Sequence, residues 1–175
     1  MKIEKVVTGL LDENCYVIKK DNSCLVVDPG DDYQKIKEAI GESKVIAVLL
    51  THSHFDHIGA LRNFLTKRSV KIVKRSSVST EGSIHLGEFN FEVVFTPGHS
   101  KDSISFYFPE EKVMFVGDFV FQESIGRCDL PGGSESEMKD SLEKLRQYPR
   151  EITLYPGHGE TTTLDYEFSH NLYLR

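Results

Sequence analysis

The run Val45-Ile46-Ala47-Val48-Leu49-Leu50-Thr51-His52-Ser53-His54-Phe55-Asp56-His57 decides how this chain is read. Residues 45–50 form a continuous apolar run, the pattern of a strand covered on both faces. Three imidazoles and a carboxylate then crowd positions 52–57. Each needs a polar partner when buried, so they cannot all be core residues. In an extended segment His52 and His54 point to the same side, and both can reach one metal ion. Asp56 and His57 fall where the chain turns into a helix and can face a second ion beside the first. Leu61, Phe64 and Leu65 have helical spacing and predict a helix after residue 56.

Towards the N-terminus, Lys2 to Thr8 and Asn14 to Lys19 alternate polar and apolar, and Cys24 to Val27 is a buried apolar run. Asp28-Pro29-Gly30 ends that strand with turn chemistry, and Asp31 or Asp32 is placed to cap a helix through Ile40. Towards the C-terminus, strands are predicted near 70–74, 83–87, 90–96, 103–108 and 112–117. A Gly-bearing loop follows from Phe119 to Gly133, then a helix from Glu135 to Gln147, a strand from Ile152 to Tyr155 and a terminal helix. Thr96-Pro97-Gly98-His99 and Tyr155-Pro156-Gly157-His158 echo each other, each presenting a histidine from a strand end. Mixed strands and helices in this order predict two sheets with helices outside.

The 175 residues fit one domain, and 39% hydrophobic with 27% charged residues is a soluble, globular balance. No apolar run is long enough to span a membrane, and acids near the N-terminus argue against a signal peptide. The net charge of −6 is the wrong sign for tracking phosphates, which argues against nucleic acid as a partner. Cys15, Cys24 and Cys128 form no C-x-x-C pair and are odd in number. That predicts neither a disulfide framework nor a thiolate zinc site and fits a cytoplasmic setting. Cys15 and Cys24 flank a turn-like stretch, so a hairpin could bring them face to face. The basic run Lys67, Arg68, Lys71, Lys74 and Arg75 reads as a solvated surface, with an anion-attracting patch as the alternative.

H-x-H-x-D-H after a buried strand resembles the metallo-β-lactamase-fold hydrolases. Their third histidine, in a T-P-G-H-[ST] segment, matches Thr96-Pro97-Gly98-His99-Ser100. Their bridging aspartate matches Gly117-Asp118, and their last histidine matches Pro156-Gly157-His158-Gly159. The resemblance implies an α+β, four-layer αββα sandwich with metals at one edge between the sheets. It also implies two divalent ions, zinc by first expectation, with iron or manganese as alternatives. His52, His54 and His99 would hold one ion, Asp56, His57 and His158 the other, with Asp118 bridging. A hydroxide shared between ions about 3.5–4 Å apart would be the nucleophile, with Asp56 orienting it and taking its proton.

Gly117-Asp118-Phe119-Val120-Phe121, Ser124-Ile125-Gly126-Arg127-Cys128-Asp129 and Gly132-Gly133-Ser134 resemble the glyoxalase II-like branch, which cleaves thioesters. Glu167 and Asn171 resemble its C-terminal E-x-x-x-N pattern. Arg127 is expected to brace carboxylates and carbonyls, and Cys128 to be a loop residue. Residues 1–175 are expected to form one metallo-β-lactamase-like domain, without that branch's glutathione-binding helical domain. The implied activity is hydrolysis of a small-molecule thioester or related ester. An iron persulfide dioxygenase, using His52 or His54 with His99 and Asp118, is the enzymatic rival. A binding module with purely structural metals is the non-enzymatic one. Thiolate-bearing β-lactamases place Cys where this chain has Asp118, which argues against antibiotic hydrolysis.

Overall fold

The computed structural model describes residues 1–66 and 69–175. Strands β1 (Lys2–Thr8), β2 (Glu13–Lys20), β3 (Ser23–Val27), β4 (Lys44–Leu49) and β5 (Lys71–Val73) form one sheet in that order. Its first three strands are antiparallel, and β3, β4 and β5 run parallel. Helix α1 (Tyr33–Ile40) makes the β3-to-β4 crossover, and the short helices α2 (Phe55–Ile58) and α3 (Arg62–Leu65) follow β4. The second sheet contains β6 (Gly82–Leu86), β7 (Phe89–Phe95), β8 (Ile104–Phe108) and β9 (Val113–Gly117). A small hairpin, β10 (Val120–Phe121) with β11 (Ser124–Ile125), lies beyond it, followed by helix α4 (Glu135–Lys144). Strands β12 (Thr153–Pro156) and β13 (Thr162–Thr163) complete the second sheet, in the order β13-β12-β9-β8-β7-β6, and α5 (Leu164–His170) follows.

Three apolar layers explain the strand patterns. Tyr16, Ile18, Leu25, Val27, Ala47 and Leu49 meet Phe91, Val93, Phe106, Phe108 and Phe115 between the sheets. The alternate residues Val17, Val26 and Val48 pack outward with Ile36, Ile40 and Phe64. Met114, Val116 and Leu154 on the second sheet pack with Met138 and Leu142 of α4 and Leu164 of α5. Both faces of the central strands are covered, so β3 and β4 read as unbroken apolar runs. This is the expected sandwich of two mixed sheets with flanking helices.

Several expectations are corrected. The helix expected after residue 56 is two short helices, because the Ala60 amide bonds the carbonyls of Pro29 and Gly30. Those bonds tie the segment to the end of β3. Asp32 occupies the N-cap of α1 at φ 47° without capping it through its side chain. Its carboxylate instead accepts from Lys35 and the Gly9 amide. The Phe119–Gly133 loop contains the β10–β11 hairpin, and β13 precedes the terminal helix. Cys24 lies opposite Lys19 and Cys15 opposite Val6, so the two thiols are not cross-strand partners. Lys67 and Arg68 lie outside the described residues. Of the rest of the basic run, Arg75 stacks on the Phe95 ring at 3.8 Å, and Lys71 lies exposed on the edge strand β5.

Strand direction positions the chemistry. β7, β9 and β12 run the same way, so Thr96–His99, Asp118 and Pro156–His158 follow their carboxyl ends along one edge. β3 and β4 deliver Asp28 and Thr51–His57 from the facing sheet. The Ile104 amide bonds the Thr51 carbonyl, and the Asn14 amide bonds the Gly157 carbonyl at 2.7 Å, so the two edges are stitched together.

Candidate metal centre

All seven histidines and aspartates singled out in the sequence meet at this edge. One group of ligand atoms, from His52, His54 and His99, lies within 4.8 Å, and a second, from Asp56, His57 and His158, does the same. Asp118 lies between them. Its Oδ1 is 3.3 Å from His57 Nε2, while its Oδ2 is 3.5 Å from His99 Nε2 and 3.6 Å from His158 Nε2. Asp56 Oδ2 is 3.3 Å from His158 Nε2. His54 Nδ1 and His99 Nε2 face each other at 2.9 Å.

In the other four rings, those of His52, His57, His99 and His158, Nδ1 is committed to the protein, which sets tautomer and orientation. His99 Nδ1 donates to the Arg127 carbonyl at 2.8 Å, and His158 Nδ1 to the Leu11 carbonyl at 3.0 Å. His52 Nδ1 lies 3.0 Å from the Thr51 hydroxyl, which donates to Asp28 Oδ2 at 2.5 Å. The same Asp28 oxygen is 3.1 Å from His57 Nδ1. Each Nε2 is thereby aimed at the shared space. His52 Nε2, His57 Nε2 and Asp118 Oδ1 are buried without a hydrogen-bond partner among the described residues. Buried polar atoms left this way cost about 1–3 kcal/mol each, which a cation between them would offset. The donor set and its orphaned atoms therefore fit divalent metal ions.

Electrostatics follow the same layout. Burial pulls the His57 imidazole down, but the carboxylates of Asp118 and Asp28 outweigh it and hold the ring well above its ordinary range. Burial raises Asp118, yet the adjacent His57 imidazole carries it well below the usual carboxylate range. Burial, reinforced by the neighbouring charge of His57, drives His52 well below its ordinary value. Glu13 is buried behind His57 and is lifted by that burial to about 9.

Local backbone makes the convergence possible. A side chain at Gly157 would place a Cβ 2.3 Å from Asp118 Oδ1 and 2.6 Å from His57 Cε1. Gly117 adopts φ 53°, and a Cβ there would meet Thr51 Oγ1 at 2.2 Å. The Pro156–Gly159 turn is gripped by β2. Tyr16 donates its hydroxyl to the Pro156 carbonyl at 2.7 Å, and Asn14 Nδ2 donates to the carbonyls of Pro156 and Gly159.

Asp28 is the main residue that reading the sequence passed over as turn chemistry. Its signal is a carboxylate closing a buried apolar strand, which needs buried donors to survive there. The carbonyls of Arg127 and Leu11 carried no signal at all, since any residue supplies one. The Arg127 guanidinium is exposed and paired with Asp129 at 2.7 Å, so its contribution at the centre comes through the backbone. Cys128 is half-buried in the loop before α4. His85 and His170 sit at the surface, bonded to Asn90 and to the Tyr166 carbonyl. Glu167 is fully buried and accepts from Thr162 Oγ1, the Glu123 amide and Asn171 Nδ2, so the E-x-x-x-N pattern locks α5 to the β10–β11 hairpin.

Comparison with known proteins identifies the family and the fold. The Metallo-beta-lactamase superfamily profile matches residues 8–83 and 77–158. Hydroxyacylglutathione hydrolase GloC of Haemophilus influenzae is 30% identical, across 99% of this chain and 98% of its own length. The crystal structure of BLEG-1 B3 metallo-beta-lactamase superposes with a TM-score of 0.94 at 30% identity, covering 99% of each chain. That of TTHA1623 in a di-iron-bound form superposes at 0.86 with 31% identity, covering 98% of this chain and 100% of that one. With its motifs in order along nearly the whole sequence and its fold in common, the chain belongs to the metallo-beta-lactamase superfamily.

Proposed function

We propose that the chain is a dinuclear metal-dependent hydrolase of thioesters or related esters. In this reading His52, His54 and His99 hold one divalent ion, Asp56, His57 and His158 hold another, and Asp118 is shared. The observation that carries it is the pairing: two tight groups of ligand atoms flank one largely buried carboxylate, whose Oδ1 faces His57 of one group and whose Oδ2 faces both His99 of the other and His158. Five imidazoles and two carboxylates without a thiolate suit zinc, iron or manganese. Zinc is the first expectation, and the di-iron form of TTHA1623 supports iron as the alternative. Bound ions of this kind lower the pKa of a water to about 7 and polarise a scissile carbonyl.

The chain's own residues do the rest. Asp28, the Arg127 carbonyl and the Leu11 carbonyl hold four imidazoles in one tautomer, so no ring has to reorient during turnover. Asp56, partly open to solvent at the mouth of the centre, orients the attacking water and takes its proton. The relationship to GloC supports the thioester class. A second reading, β-lactam hydrolysis, is favoured by the likeness to BLEG-1. Asp118 in place of a thiolate argues only against thiolate-bearing enzymes.

Metal analysis of the purified protein beside a substrate panel tests both readings. The panel contains S-lactoylglutathione, simple acyl thioesters, a lactone and a cephalosporin, with oxygen uptake measured on a persulfide. Thioester turnover that scales with metal content is expected. Oxygen uptake with the persulfide and no thioester turnover would replace the reading with a dioxygenase. Cephalosporin turnover far above that of thioesters would replace it with a lactamase.

A further inference from the structure

We propose that a cavity behind the metal centre, between residues 125–128 and α4, is a binding site for short apolar peptides. Their free ends hold them there by charge, and their presence sets how firmly His99 is oriented. The site lies outside the hydrolase reading and takes from it only that His99 is a metal ligand. The cavity has a volume of about 630 Å³, and none of the seven metal-centre residues lines it. That size is within the range of small-molecule pockets, roughly 300–1,000 Å³. One wall is residues 125–128, and the other is Glu135, Met138, Lys139 and Leu142 of α4. Their i, i+3, i+4, i+7 spacing makes them one helix face. Tyr173 closes the side. Its ring is 59% exposed, yet its backbone is anchored. The Tyr173 amide donates to Asn171 Oδ1 at 3.1 Å, and the next residue, Leu174, is buried. An exposed aromatic ring fixed beside an apolar floor marks a binding surface.

Charge and spacing select the occupant. Glu135 and Lys139 stand i, i+4 on α4 in the order that usually pairs, but neither makes an ion pair among the described residues. The Arg127 guanidinium is already held by both oxygens of Asp129. The rim therefore offers one uncommitted anion and one uncommitted cation, above a floor of Ile125, Met138 and Leu142. Cβ atoms at i, i+4 are about 5–6 Å apart. The charged ends of an extended dipeptide are separated by about 7 Å, at roughly 3.3–3.6 Å per residue. With its ammonium on Glu135 and its carboxylate on Lys139, a dipeptide lays its apolar side chains over the floor and against Tyr173. The wall of the cavity is also the backbone of the centre. The Arg127 carbonyl accepts from His99 Nδ1 at 2.8 Å. A Cβ at Gly126 would strike the Asp118 carbonyl and lie 3.1 Å from His99 Cβ, so this stretch cannot shift without disturbing both residues. A peptide packed behind it favours the position in which Arg127 orients His99, and with it bound metal.

The probe is leucyl-leucine, compared with N-acetyl-leucyl-leucine and leucyl-leucinamide, which each lack one end charge, and with glycylglycine, which lacks the apolar body. Calorimetry on the chelator-treated full chain reads the site without metal or turnover. Leucyl-leucine should bind, and each capped form should bind about threefold more weakly, the scale of an exposed ion pair. Glycylglycine should not bind. Glu135→Gln should erase the difference made by the acetyl cap, and Lys139→Gln the difference made by the amide. Tyr173→Ala should weaken leucyl-leucine about tenfold, as loss of an aromatic anchor does. Saturating leucyl-leucine should tighten zinc binding about threefold, read with a chromophoric chelator, and zinc should tighten the peptide by the same factor. Tyr173→Ala should abolish that gain, which separates it from any chelation of zinc by the peptide itself. No binding, or binding indifferent to the caps and to both charge variants, overturns the site. Binding that leaves zinc affinity unchanged overturns its hold on His99. The calorimetric result is independent of whether any thioester is cleaved, so failure of the hydrolase reading would leave it intact.

Discussion

At the scale of single residues, the centre depends on which nitrogen each histidine presents. His54→Ala should leave a folded protein with less bound metal and little hydrolysis, and Asp118→Asn should be as damaging because an amide bridges two cations poorly. Wild-type metal stoichiometry in His54→Ala, measured by atomic emission, would contradict the ligand assignment. Asp28 touches no ion in this scheme, yet one of its oxygens serves both His57 Nδ1 and, through Thr51, His52 Nδ1. Asp28→Asn should therefore weaken metal binding about 10–100-fold, read by competition with a chromophoric chelator. Glu13 supplies a pH signature. Its ordinary pKa of 4.5 is lifted by burial to about 9, so above pH 4.5 the unfolded chain ionises while the folded one keeps its proton. Stability contributed by that proton is complete below 4.5 and is lost as pH rises towards 9. Glu13→Gln keeps the neutral form at every pH. In chelator-treated protein its melting temperature should pull ahead of the wild type from pH 5 to pH 9, and parallel curves would show that Glu13 does not carry this effect.

Elements place these residues through strand ends. β4 ends at the H-x-H-x-D-H run, β7 at Thr96–His99, β9 at Asp118 and β12 at the Pro156–Gly159 turn, and shared direction puts all four at one edge. The same logic covers the C-terminal lock. Glu167→Ala would strand three donors, from Thr162, Glu123 and Asn171, two of them in segments that flank the β10–β11 hairpin or α5. A loss of about 1–3 kcal/mol in urea unfolding is expected, since buried donors without an acceptor cost that much. A change below about 0.5 kcal/mol would mean that water replaces the carboxylate. Most elements were legible from pattern alone, because both-face burial makes continuous apolar runs and one-face burial makes alternation. The break between α2 and α3 was not, since Leu61, Phe64 and Leu65 keep helical spacing. It arises from Ala60 bonding to Pro29 and Gly30, a contact with no local signature. The two-residue strands of the hairpin are equally silent, being too short for a period to develop.

For the molecule as a whole, the three apolar layers do not include the metal-ligand side chains, so the sandwich should outlast its metals. Chelation should leave the far-UV circular dichroism spectrum intact while lowering the melting temperature. The lost linkage energy is about 2.7 kcal/mol for an ion held at a hundred times its dissociation constant. Collapse of the spectrum on chelation would show instead that the metals organise the fold. No helix among the described residues is long and apolar enough to cross a membrane. The amino-acid sequence by itself predicted two sheets with helices outside, and its family resemblance singled out the seven side chains that converge at one edge. Apolar periodicity reports burial directly, and ligand-type residues packed after strand ends have few other uses. Tertiary structure alone decided that Asp28 serves both ligand groups, that the Arg127 and Leu11 carbonyls orient His99 and His158, and that Ile125, Met138 and Tyr173 share one cavity. Each of these joins positions distant along the chain, through backbone atoms that every residue has or through apolar side chains that are common everywhere. Their meaning lies in where the fold brings them.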